Sequence, residues 1–334
     1  MRLTRRRFVV MGGVSTASTA QAAQPVLKMR IASSSNSNAS INGAFVWLRA
    51  FMDSADADGI KTVFYPGSAL GKEAERTELV NLGLIQLNMI GLSELQIYSA
   101  AARAFSIPFM IDGYQQLENL LLETDFLPSL NEELSKTNLM VVDLAILGGM
   151  SGLFTTRKPV RSLSDMRGLR LRAMGGDEIT TISSWGSSSV QVAWEEVPQA
   201  LETGIAGGYL NPPLAPIMFG HLNQIRYFTD LRLAPSCRWA VVARTWYENL
   251  SENCRNAVDR AIAAGRDANR RWTAAIHMEE ERRLREAGIE IIALPATERQ
   301  KFASAAQTHF RSKLPPAIFG RMERWAAQSR EGDM

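Results

Sequence analysis

Between Met166 and Pro213 the hydrophobic and polar positions change period several times. Residues 169–173, Leu-Arg-Leu-Arg-Ala, alternate apolar and polar, the signature of a half-buried strand. Glu178 to Trp185 fits one or two helical turns, ended by Gly186. Ser188 to Trp194 alternates again and is β-branched. Val197 to Thr203 reads as a helix stopped by Gly204, and Gly207 to Pro213 as a strand broken by two prolines. Strand, helix, strand, helix, strand predicts a small α/β lobe with a ligand cleft at its strand ends.

The same reading extends along the chain. Leu27, Met29 and Ile31 share one face of a first strand, followed by a polar run from Ser33 to Ser40. A Ser/Asn loop between the first strand and first helix of a compact lobe suits a cleft, where backbone amides meet a ligand. Ile41 to Ala55 predicts an amphipathic helix with Phe45, Leu48 and Met52 on one side. Strands are expected at Lys61–Tyr65 and Gln86–Gly91, flanking a helix from Lys72 to Leu82 ended by Gly83. Ala104 to Phe109 reads as a strand and turn. Helices follow from Gln115 to about Leu122 and across Phe126 to Lys136. The apolar run Leu139–Leu147 predicts a central strand covered on both faces, with Gly148 and Gly149 as a crossover between lobes. Met150 to Val160 reads as a short antiparallel pair or a strand and turn. Ser251 to about Leu284 is one long helical pattern, or two helices broken near Gly265. Ile289–Leu294 predicts a short strand, Thr297 a helix cap, and Met322–Ser329 the last helix.

The chain has 334 residues, 46% hydrophobic and 21% charged, enough for two lobes that each bury a core. Its formal charge of +3 resides in the first segment. Residues 1–22 hold Arg2, Arg5, Arg6, Arg7 and no acid, so the remainder has 33 bases against 34 acids. No basic excess is left for nucleic acid or anionic lipid. That first segment has a basic start, a short apolar stretch and an Ala20-Gln21-Ala22 cleavage pattern. It fits an export signal, either twin-arginine (Thr4 to Val9) or general secretory. Nothing else approaches the ~18 apolar residues of a membrane span, so no stable membrane insertion is expected. Cys237, opening a strand, and Cys254, in the first turn of a helix, are read as unpaired, with one bridge as the alternative.

Several stretches together resemble the solute-binding proteins of TRAP transporters, the DctP-type family. They are Gly168-Leu-Arg-Leu-Arg172, the aromatic-Glu-Glu of Trp194–Glu196 before Ala200-Leu201, and the strand ending at Asn211-Pro212. Thr62 to Met89 is similar to the family's PGxxLG segment, Ala104 to Asp112 to its Pro-Phe turn, and Arg226 to Leu231 to its return strand. The resemblance implies an α/β fold of the two-lobed periplasmic-binding type, class II-like, with a cleft between lobes and a long bracing helix. Expected boundaries are 1–22 for the signal, 23–148 plus about 237–276 for lobe I, and 149–236 plus about 277–334 for lobe II.

The resemblance also nominates a ligand site. Arg172 matches the family arginine that grips a carboxylate; a guanidinium pairs bidentately and stays charged when buried. Without the family, an arginine here reads as a surface residue on an edge strand. Asn211 matches the asparagine of the family's Asn-Pro step, and its amide can donate and accept. Trp194 takes an aromatic position that packs on ligand; core packing is the other reading. Tyr209, two residues before Asn211, and Ser35 and Asn36 in the polar loop complete the candidate set. Glu196 reads as a helix cap, and Trp185, Phe64 and Phe109 as core. Many members carry a second arginine at the position of Ser151. Its absence here argues for a monocarboxylate, with an apolar or aromatic portion, over a doubly clamped dicarboxylate.

Catalytic patterns are missing. His221, His277 and His309 lack metal spacing, and Gly149-Met150-Ser151-Gly152 falls one residue short of a nucleophile elbow. Asp56 to Gly59 fails as a calcium loop, because Ser54 would open it and Tyr65 would stand at the bidentate glutamate. No cofactor is expected. The function implied is capture of a small organic acid in the Gram-negative periplasm for delivery to TRAP membrane permease subunits. A sensor component and an exported hydrolase are the alternatives.

Overall fold

The computed structural model describes residues 27–331 apart from Ser35, Asn36, Ala39 and Ser68. The first half runs β1 (Lys28–Ser33), α1 (Gly43–Ala57), β2 (Lys61–Tyr65), α2 (Glu73–Asn81), β3 (Leu87–Gly91), α3 (Ala100–Phe105), α4 (Tyr114–Glu123), α5 (Phe126–Glu133) and β4 (Leu139–Ile146). Then come β5 (Gly152–Thr155), β6 (Arg170–Ala173), α6 (Gly176–Ser184), β7 (Ser188–Gln191), α7 (Val197–Glu202), β8 (Gly208–Asn211), α8 (Ala215–Phe219) and β9 (Tyr227–Asp230). The last part is β10 (Cys237–Ala243), α9 (Arg244–Glu248), α10 (Glu252–Glu286), β11 (Glu290–Ala293), α11 (Ala296–Lys313) and α12 (Pro316–Glu331).

Two sheets organise two lobes. The first has the order β2-β1-β3-β10-β4, and the second β11-β9-β5-β8-β6-β7. In the first sheet β10 returns from far along the chain to lie antiparallel between β3 and β4. The chain therefore crosses between lobes at Gly148-Gly149, after β4, and again before β10. Gly148 adopts φ +139°, a conformation open to glycine and costly for other residues. One face of the first sheet carries α1 and the first half of α10, the other α3, α4, α5 and α12.

Two expectations about this lobe change. Residues 104–109 do not form a strand: Ser99 caps an alanine-rich helix, α3, accepting a hydrogen bond from the Ala102 amide, and the turn beyond it puts Phe109 at φ +61°. Alanine's helix propensity outweighs the short apolar pattern here. β4 is covered on both faces but lies at the sheet edge, not its centre. Side chains occupy that edge: Asn131 pairs with both backbone groups of Val141, and Asn269 with both of Ile146. These bonds satisfy an edge that would otherwise be open to strand addition.

Helix α10 runs unbroken for 35 residues, about 52 Å at ~1.5 Å per residue. Gly265 does not interrupt it; it lets α10 approach Trp47 of α1. The buried face of α1 is Trp47, Leu48, Phe51 and Ala55, with Phe45 and Met52 only half-buried at its margin. Asp143, 1% exposed, ties the layers together by accepting from Trp47 Nε1 at 2.7 Å and Arg266 Nε at 3.0 Å. A buried carboxylate is tolerable when its oxygens are occupied in this way.

The C-terminal segment divides between the lobes. Phe302, Ala303 and Ala306 of α11 join the second lobe's core, whereas Phe310, Phe319, Met322 and Trp325 join the first. The expectation that all of 277–334 belongs to lobe II does not match this packing. α11 begins after Pro295, so Thr297 lies within its first turn and is not its cap.

Candidate functional site

A cleft of about 260 Å³ opens between the lobes. Its lobe I side is formed by Glu73, the turn Leu92–Leu95, Ser106 and Arg238. Its lobe II side is formed by Met174 to Glu178, at the start of α6, and by Leu210–Pro212. The walls touch where Ser93 Oγ meets Met174 Sδ at 3.7 Å and where Ser106 Oγ donates to Asp177 Oδ2 at 2.5 Å.

Of the predicted residues, Asn211 lines this cleft and is half-buried. Arg172 lies behind the wall. It is 2% exposed and stands on β6, an interior strand, paired to Val190 of β7 and Tyr209 of β8. The surface-arginine reading is thus excluded. Its Nε donates to the Val192 carbonyl at 3.0 Å, and its guanidinium carbon lies 5.3 Å from the Trp194 ring centre. The indole face attracts the cation and shields it from water. Around them, Tyr209, His221 and Phe219 meet Trp194 with ring separations of 4.9–5.9 Å. Burial, then the nearby Arg172 charge, push His221 down to about 4, so it is neutral near pH 7 and adds no second cation.

Tyr209 departs from the expected position. It is wholly buried, with its hydroxyl 3.4 Å from His221 Nδ1, so it backs Arg172 instead of facing the cleft. Two residues along a strand point to the same side, but Asn211 stands at the strand end and Tyr209 inside the sheet. Ser35 and Asn36 lie outside the described residues. Trp185 and Phe109 are core, as expected, and Phe64 is half-buried against the first lobe's core. Glu196 is exposed and makes no capping bond through its side chain.

Three cleft residues were not singled out from sequence. Glu178 accepts from the Met174 amide and places Oε2 4.0 Å from Arg172 Nη1. Arg238 of β10 pairs with Glu73 at 2.5 Å, and Glu73 also accepts from the Gly91 amide at 2.8 Å. Burial alone would raise the Glu73 carboxyl; Arg238 and the Gly91 amide outweigh it and hold it below the usual range. A charge inside the apolar run Cys237–Ala243 was the available signal for Arg238. Ser151 is on the cleft wall and hydrogen-bonds Ser236 at 2.7 Å, joining the interlobe connections after β4 and before β10.

A larger cavity, about 610 Å³, lies against the middle of α10, bounded by α4, Gly149-Met150 and β9. None of the predicted ligand residues among the described ones lines it. Among the described residues no group of His, Cys, Asp and Glu is placed to hold a metal ion, and no helix is long and apolar enough to cross a membrane.

Residues 32–313 match the model of the DctP family, bacterial extracellular solute-binding protein, family 7. A solute-binding protein of Chromohalobacter salexigens is 25% identical over 231 residues, 68% of this chain and 67% of that one. Among solved structures, a TRAP periplasmic solute-binding protein from Roseobacter denitrificans with bound L-galactonate superposes with a TM-score of 0.80 at 18% identity, covering 90% of this chain and 98% of that one. One from Sulfitobacter with bound β-D-galacturonate gives 0.80 at 18%, covering 91% and 99%. The chain belongs to the DctP family, the solute-binding proteins of TRAP transporters.

Proposed function

We propose that this protein captures a small organic acid in the periplasm and delivers it to TRAP permease subunits in the membrane. The observation that carries the reading is Arg172: a buried guanidinium, held by Val192 and Trp194 behind the wall of an interlobe cleft; the resemblance gives this position the carboxylate-gripping role. Relatives of the same fold hold galactonate and galacturonate, both carboxylates. Asn211 adds polar contacts, and Trp194 and Tyr209 hold the guanidinium; Ser35 and Asn36 remain candidate ligand residues outside the described ones. Lobe I comprises β1–β4, β10, the first half of α10 and α12; lobe II comprises β5–β9, β11 and most of α11. Residues 1–22 act as the export signal, twin-arginine in type. The mechanism is capture without chemistry: closure about the connections at Gly148-Gly149 and before β10 uses part of the binding energy and forms the surface the permease recognises.

A thermal-shift screen of the mature protein against small organic acids, run beside Arg172→Ala, tests this. A ligand at about 100 times its Kd stabilises by ~2.7 kcal/mol. A shift seen only with intact Arg172 supports the reading; a shift that survives the substitution moves the ligand elsewhere.

A further inference from the structure

The charge nearest Arg172 on the cleft wall is negative. The Arg172 side chain is 1% exposed, whereas that of Glu178, 4.0 Å away, is 31% exposed and lines the cleft. Across the cleft, Arg238 is held by Glu73 at 2.5 Å. The described walls therefore carry three carboxylates, Glu73, Asp177 and Glu178, and one guanidinium, Arg238. Each cleft arginine already has a carboxylate beside it, and a ligand must share Arg172 with Glu178.

We propose that Glu178 is a specificity-determining residue, an internal counter-ion that restricts the cleft to acids with one carboxylate flanked by hydroxyl donors. This rests on the carboxylate-capture reading above. The ligand carboxylate takes Arg172; a neighbouring hydroxyl donates to a Glu178 carboxyl oxygen. A second ligand carboxylate would face Glu178, Asp177 or Glu73, like charge against like charge in a narrow space. An acid without donors would leave the Glu178 oxygens dry and unmatched. Desolvation raises the Glu178 carboxyl above its usual range, and Arg172 and the Met174 amide recover only part of that. The ligand class is a hydroxylated monocarboxylate, and the apolar or aromatic portion expected from sequence has no role in it.

The test is calorimetric titration of the wild-type protein and Glu178→Gln with L-galactonate, D-glucuronate, propionate and succinate. Gln keeps an acceptor for the Met174 amide, so a capping role alone is left intact, and matching thermal melts establish that both proteins fold. The expected result is that wild type favours a hydroxylated monocarboxylate over succinate by at least about tenfold, and that the variant narrows that ratio by about tenfold or more. Measurable binding with an unchanged ratio overturns the role of Glu178 and leaves carboxylate capture standing. Wild-type preference for succinate overturns the ligand class. Binding of none of the four to either folded protein removes the carboxylate reading, and this inference with it.

Discussion

Gly265 of α10 lies directly against Trp47 of α1: a Cβ there would stand 2.8 Å from the indole and 3.0 Å from the Trp47 carbonyl oxygen. Trp47 is itself fixed, wholly buried and hydrogen-bonded to Asp143. Gly265→Ala gains about 1 kcal/mol of helix propensity but forces apart two rigid layers, a cost of ~1–3 kcal/mol. The contact wins, because neither indole nor backbone can swing away. A thermal melt should show Tm lower by a few degrees; an unchanged or higher Tm refutes the close approach.

Arg172 should dominate affinity for whichever acid the screen finds. Removing one member of a buried charged contact costs ~2–5 kcal/mol, so Arg172→Ala should weaken binding by about a hundredfold. Arg172→Lys should not restore it, since a single ammonium cannot bond Val192, face Trp194 and grip a carboxylate together. Titration calorimetry decides; near-wild-type affinity in the lysine variant argues against a bidentate grip.

Glu280 of α10 holds the interlobe crossover. Its Oε2 accepts from the Gly149 amide at 2.9 Å, and its Oε1 lies 3.4 Å from His277 Nδ1. Burial, only partly offset by His277 and the Gly149 amide, raises its carboxyl above the ordinary 4.5, and Glu281 adds to the rise. The folded protein thus retains this proton longer than the unfolded chain. Stability from this group is greatest below pH ~4.5 and declines as pH rises through the folded value. His277, raised by its bond to Glu280, acts in the same direction, its contribution fading as pH climbs past its own folded value. Glu280→Gln keeps an acceptor for Gly149 and should flatten the decline between pH 5 and 8 in melts. A steeper decline than wild type is the contrary result.

Glu133 works with the opposite sign. Burial raises its carboxyl, but Arg321, the Ala101 amide and Ser99 outweigh this and hold it below 4.5. These bonds fasten α12 to α3 and α5. Their contribution is complete above pH ~4.5 and is lost as pH falls through the lower folded value. Denaturant titrations from pH 6 to 3 should show Glu133→Gln less stable than wild type at pH 6, with the difference closing in acid. A constant gap across that range excludes the ion pair as its source.

The two cysteines are separate thiols, Cys237 buried in β10 and Cys254 half-buried near the start of α10. Burial pushes the Cys237 thiol far above its usual range, which suppresses the reactive thiolate. An aromatic disulfide reagent should label Cys254 in the native protein and reach Cys237 only after denaturant is added. Rapid release of two equivalents from native protein contradicts this.

How far the sequence could be read depended on how local the signal was. β2 was legible to the residue, and the strand–helix–strand run around Arg172 nearly so, because alternation, helical period and glycine stops act over a few neighbours. The misassigned stretch at Ala104 was short and apolar, a case where period alone does not separate helix from strand. Arg172 and Asn211 were nominated from motif resemblance; Glu178 and Arg238 were not, because what matters about each is which charge the fold turns it to face.

By itself the sequence determined the α/β rhythm, the long helix, the glycine crossover and the family, all consequences of pattern along the chain. Tertiary structure alone decided that β10 returns beside β3, that β4 is an edge closed by side chains, and that α12 belongs to the first lobe. It also decided that Arg172 stands behind a carboxylate instead of in the open cleft. Most of those outcomes depend on contacts between residues tens to hundreds of positions apart, and in all of them burial and charge pairing, not local propensity, set the free energy.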